Sequence, residues 1–185
     1  MKKFVGVVMA LLMVGSLVFA AYADPSDQSV EIFTTIDKTA AMAINSTSTA
    51  SGALSATDVT SQELSKGSTY GTAFYVNTRS NIVGGFTLKY SMSALTGSSG
   101  NDDVIPVTVL SQPVVVANAA SSDSATETPF DSSTPSSVTL LDPGSSVGME
   151  NNSVKIQVKA TSATWATDVA ADSYSADLTV TFTAN

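Results

Sequence analysis

Asp102 and Asp103 are the one place in this sequence where two carboxylates stand side by side, inside the run Gly97-Ser98-Ser99-Gly100-Asn101-Asp102-Asp103. Carboxylate oxygens in a Gly/Ser/Asn loop are ligand chemistry for Ca²⁺. The alternating acidic spacing of a calcium loop is missing, however, so the pair reads as a solvated turn. Gly97-Ser98-Ser99-Gly100 opens no helix and is no phosphate loop. Trp165 sits among Ala, Thr and Ser; it offers a stacking face for a sugar, against the commoner reading of a packing Trp. Asn45-Ser46-Thr47 and Asn151-Asn152-Ser153 match the glycan acceptor pattern. They carry little weight. Many Asp and Glu residues are available for a glycosidase dyad, but no local motif selects two of them.

What is absent narrows the chemistry further. The 185 residues include no His and no Cys. The usual zinc, copper, haem and non-haem iron sites thereby lose their main ligands. Thiol nucleophiles, Ser-His-Asp triads and disulfides go with them. The sequence carries 29 Ser and 23 Thr, a formal net charge of −8 and a pI near 4.2. Nucleic acid needs a basic footprint and is not an expected partner. The expectation is a protein without catalysis, cofactor or metal.

The first residues form a targeting segment. Lys2 and Lys3 precede an apolar run from Phe4 to Phe19, and Ala21-Tyr22-Ala23 places small residues at the −3 and −1 positions before Asp24. This layout predicts a Sec signal peptide over residues 1–23, cut after Ala23. The run is short for a membrane span, and no basic stop-transfer cluster follows. The mature chain would be the 162 residues from Asp24 to Asn185, with net charge moving to −10 because two lysines leave and no acid does. It would be exported, would hold no membrane span, and is long enough for one core.

The mature chain has the periodicity of strands. Val30, Ile32 and Ile36 share one face of Val30–Ile36. Phe86, Leu88, Tyr90 and Met92 alternate with Thr87, Lys89 and Ser91; Val154, Ile156 and Val158 alternate with Lys155 and Gln157. Further strands are expected at Ala73–Val76, followed by a turn over Asn77–Asn81, and at Ile105–Leu110, Pro113–Val116, Val138–Leu141 and Tyr174–Phe182. Ala41–Ile44 reads as a short strand or one helical turn. Ala117–Ser137 reads as a long solvated loop. Short strands with polar turns and no room for crossover helices predict an all-β fold, an antiparallel immunoglobulin-like sandwich of about 7–9 strands. Phe86, Leu88, Ile156, Val158, Leu178 and Val180 are its expected core.

Three segments carry a family resemblance. Val30-Glu31-Ile32-Phe33-Thr34-Thr35-Ile36-Asp37 is similar to a β-rich N-terminal extension ending in Asp. Phe74–Thr78, Phe86–Lys89 and Ile105–Val109 follow a pattern of strand, Asn turn, strand and proline-marked strand. Asp172–Phe182 looks like a closing strand that bears a Tyr. Together they resemble the major subunits of alternate chaperone–usher (class 5) fimbriae and related Cys-poor fimbrial-type β-sandwich domains. The sequence departs from that pattern at Ser173, where the family usually carries Gly, and in Ala117–Ser137, which has no counterpart.

The resemblance implies a non-catalytic subunit of a bacterial surface filament, polymerising by donor-strand complementation, with a periplasmic chaperone and an usher as transient partners. Residues 24–37 would then be an N-terminal extension and residues 38–185 the sandwich domain. Val30, Ile32, Thr34 and Ile36 would be the polymerisation residues, with main-chain pairing supplying affinity and alternate side chains filling pockets. Three buried aliphatic side chains contribute roughly 1.5–3 kcal/mol each before ordering costs. Two alternatives stay open. Val30–Ile36 is equally readable as the first strand of its own domain, and the protein as a monomeric secreted β-sandwich that binds a ligand such as a carbohydrate.

Overall fold

The computed structural model describes residues 34–48, 54–64, 67–99, 102–115, 124–145 and 148–185. The signal peptide expected over residues 1–23, and Val30 and Ile32, lie outside the described residues. The chain divides into two units, Met1–Ile36 and Asp37–Asn185. Of the first, only Thr34, Thr35 and Ile36 are described.

Among the described residues of the second unit, the regular structure is almost entirely β. Its strands are β1 (Ala40–Asn45), β2 (Phe74–Ser80), β3 (Phe86–Met92), β4 (Leu95–Gly97), β5 (Val104–Ile105), β6 (Val107–Val115), β7 (Thr126–Phe130), β8 (Ser136–Leu141), β9 (Glu150–Ala160), β10 (Tyr174–Ser175) and β11 (Thr179–Ala184). One helical turn, α1 (Trp165–Asp168), precedes β10. The sheets are antiparallel: five strands in the order β1-β2-β9-β6-β7, three in the order β11-β3-β8, and a small β10-β4-β5 sheet. The described residues hold eleven strands, where seven to nine were expected, with β4, β5 and β10 as short pieces.

Period-two burial explains why these segments are strands. Phe86, Leu88, Tyr90 and Met92 of β3 are all buried, as are Val154, Ile156 and Val158 of β9. In a pleated strand such residues line one face. The five-stranded and the β11-β3-β8 sheets contribute to one apolar cluster, in which the Tyr90 ring meets Phe130 edge-on at 5.7 Å between centroids. Burial pushes the pKa of the Tyr90 phenol up.

Four sequence expectations need correction. The strand through Phe74–Val76 does not end in a turn at Asn77; it runs on to Ser80, paired with β1 on one side and β9 on the other. The Asn77 side chain is buried there and donates to Asn45 Oδ1 and to the Thr47 carbonyl, both at 3.0 Å. A polar residue that finds partners does not break a strand. Ala117–Ser137 is not one loop, because Thr126–Phe130 pairs with β6 as an edge strand. Pro129 is tolerated there, since an edge strand can spare an amide. Val107–Val115 is one strand, whose register shifts after Pro113. Finally, Leu178 and Val180 pack against the core cluster as expected but are only half-buried, unlike Phe86, Leu88, Ile156 and Val158. The C-terminal strand is interrupted after Ser175, and Val180 lies at a sheet edge.

Candidate functional site

The polar clusters on the surface tie segments of the chain to one another. Asp172 accepts from the Ser98 and Ser99 hydroxyls and from the Ser99 and Ser173 amides at 2.7–2.9 Å. The Ser99 amide and hydroxyl, first among these donors, hold its carboxyl down to about 2. Asp103 accepts from the Ala170 amide, so this half of the Asp102–Asp103 pair fastens a loop. Glu127 accepts from the Tyr70 hydroxyl and pairs with Lys159 at 3.3 Å, while the Lys159 ammonium lies 4.3 Å from the Tyr70 ring centre. Those two donors lower the Glu127 pKa. Burial, followed by the bond to Glu127, raises that of Tyr70. Trp165 is half-buried in α1. Asn45 is turned inward, its Nδ2 donating to the Ala56 carbonyl at 2.7 Å, so it is closed to a glycan. Among the described residues, no group of three or more Asp, Glu, His or Cys is placed to hold a metal.

The sheet edges are a different matter. Asn185 N–H donates to the Gly85 carbonyl at 3.1 Å, one step beyond the Ala184–Phe86 pair. Opposed residues in an antiparallel ladder alternate between hydrogen-bonded and non-bonded pairs. Thr179, Thr181, Thr183 and Asn185 therefore direct their backbone groups at β3. Val180, Phe182 and Ala184 direct theirs away, toward an edge that pairs with nothing among the described residues. The same residues stand opposite Tyr90, Leu88 and Phe86; the Val180 and Phe182 side chains pack on the core, and Ala184 is exposed. Val180 and Phe182 remain half-buried, although Phe182 stacks on Phe86 at 4.6 Å between centroids.

The β1 edge is in part covered. Asn81 N–H donates to the Thr39 carbonyl at 3.1 Å, one step beyond the Ala40–Ser80 pair. By the same alternation Ala40, Met42 and Ile44 point their backbone outward. Ile44 is occupied: its amide donates to Thr57 Oγ1, and its carbonyl accepts from the amides of Asp58 and Val59. Asp58 in turn holds Ser46 through two further bonds, and Val59 packs on the core. The segment through residues 57–59 is a strap across one end of β1, and β11 has no equivalent among the described residues.

Of the four residues singled out from the sequence, Val30 and Ile32 lie outside the described residues. Thr34 and Ile36 belong to no strand and are exposed, Ile36 to 79%. The open edge formed by Val180, Phe182 and Ala184 was not among the sequence candidates. The Thr-Val-Thr-Phe-Thr alternation marked a strand, but its edge position follows only from the pairing of distant segments. The chain matches no known family model, no curated protein and no solved structure.

Proposed function

We propose that this chain is an exported, non-catalytic structural subunit of a bacterial surface filament, and that it polymerises by lending residues 24–36 as a strand to the next copy. The domain is read as an incomplete immunoglobulin-like sandwich. In that architecture strands A, B, E and D form one sheet and C, F and G the other. The order β1-β2-β9-β6 reads as A-B-E-D and β3-β11 as C-F. Among the described residues no strand occupies the G position beside β11.

That strand order is the observation that carries the proposal. An open edge with half-buried apolar side chains is an aggregation hazard that native proteins cover. The exposed Thr34–Ile36 end of an alternating apolar segment is a fitting cover when supplied by a neighbour. Contacts of this head-to-tail kind generate open filaments when the rotation between copies does not close a ring.

The test is deletion of residues 24–36. The shortened domain is expected to be monomeric in sedimentation velocity, and to gain thermal stability when a peptide of residues 24–36 is added. The same peptide carrying Ile32→Asp should stabilise it poorly. A full-length chain that stays monomeric with Val30–Ile36 paired inside its own sheet would overturn the reading in favour of a secreted binding module, as would a deletion variant that still forms filaments.

A further inference from the structure

Two large apolar side chains are exposed at one end of the domain, and both lie beside the residues that anchor the N-terminal segment. Val83, in the turn between β2 and β3, is 73% exposed, and Met149, immediately before β9, is 44% exposed. The turn is tight, with Gly85 N–H donating to the Ile82 carbonyl. Glu150 pairs with Ser80, so Met149 stands opposite Asn81, two residues from Val83. Asn81 is the anchor itself. Its Oδ1 accepts from the Thr39 amide, and its Nδ2 donates to the Asp37 carbonyl at 2.9 Å.

Single exposed apolar residues are ordinary on protein surfaces. What distinguishes this pair is its place beside the residues that directly follow the proposed donor segment. Ile36 is the last residue of that segment, and Asp37, the next in sequence, is the first of the described residues hydrogen-bonded to the domain. One residue spans at most about 3.6 Å. A donor strand seated in a neighbour up to Ile36 therefore brings this end of its own domain against the accepting copy. Resting on the filament reading above, we infer that the end formed by Asp37–Thr39, the Asn81–Gly85 turn and Met149 is a second contact between successive copies, with Val83 and Met149 packed against the accepting domain. The occupant is a second copy of this chain. The segment that carries the donor residues delivers it.

The test compares the full-length mature chain with its Val83→Lys/Met149→Lys variant, and uses Ser137→Lys on exposed β8 as a lysine control. Filament dissociation is followed in denaturant. Binding of the residue 24–36 peptide is measured separately on each chain after deletion of residues 24–36. The double variant is expected to dissociate about tenfold more readily, while peptide binding and the melting temperature of the isolated domain stay unchanged and the Ser137→Lys filament behaves as the parent. Equal dissociation of parent and double variant, with peptide binding intact, overturns this contact and leaves strand donation standing. Loss of peptide binding by the parent domain overturns both.

Discussion

Asn81 holds Thr39 at both of its backbone groups: its side-chain Oδ1 accepts from the Thr39 amide at 2.6 Å, and its own amide donates to the Thr39 carbonyl at 3.1 Å. The ladder between β1 and β2 is thereby extended one pair past Ala40–Ser80.

Asn81→Ala removes both side-chain bonds and keeps the backbone one. Hydrogen bonds of this kind contribute about 0.5–1.5 kcal/mol each. The expected loss is about 1–3 kcal/mol in denaturant unfolding, with faster hydrogen exchange at the Thr39 amide. Asn81→Asp keeps the acceptor for Thr39 but loses the donor to Asp37, and should retain most of the Thr39 protection.

Gly85 has φ +78°, and a Cβ built on it would lie 1.9 Å from the Gly144 carbonyl oxygen. A left-handed non-glycine residue costs roughly 1–2 kcal/mol, and the clash adds an overpacking cost of about 1–3 kcal/mol. Gly85→Ala is expected to lower the melting temperature by at least about 4 °C. Gly144→Ala, strained at φ +71° but with open space around it, should cost less.

The Asp172 latch sets an acid limit. Its folded pKa is depressed from 3.8 to about 2, so it favours the folded state when charged. That contribution is fully present above the unfolded value and is lost as pH falls from about 3.8 through about 2. The residues 98–99 and 172–173 should stay joined at pH 4 and separate near pH 2, followed by the NMR signals of the Ser99 and Ser173 amides. Asp172→Asn should loosen the same loops at neutral pH and remove this part of the acid dependence.

The sequence disclosed those strands whose two faces differ strongly. Phe86–Met92 and Val154–Ala160 alternate because one face meets the core and the other does not. Asn77–Ser80 was hidden because its composition is that of a turn, and only the long-range pairing of Asn77 with Asn45 makes it a strand. Thr126–Phe130 was hidden inside a Ser/Thr-rich insert, since an edge strand needs little apolar burial of its own. The alternation of Val30, Ile32 and Ile36 is a local pattern of the sequence. The open edge of β11 depends on which strands it does and does not pair with among the described residues, and no short-range signal records that.

The alternation along β11 gives a parity test of the acceptor edge. The Ala184 amide points away from β3, whereas the Thr183 amide points into the ladder opposite Thr87. Proline deletes an amide and is accepted in a strand only where that amide is not needed by the sheet. Ala184→Pro should leave the domain folded, with little change in its melting temperature. It should weaken binding of the residue 24–36 peptide by about 2–10-fold, the equivalent of one hydrogen bond. Thr183→Pro should do the reverse, destabilising the domain itself through loss of a ladder bond to β3. Should Ala184→Pro bind the peptide as tightly as the parent, the incoming strand does not pair along the outer edge of β11 at this position. Were the two prolines to have equal effects on folding, the hydrogen-bond phase derived from the Asn185–Gly85 bond would be wrong.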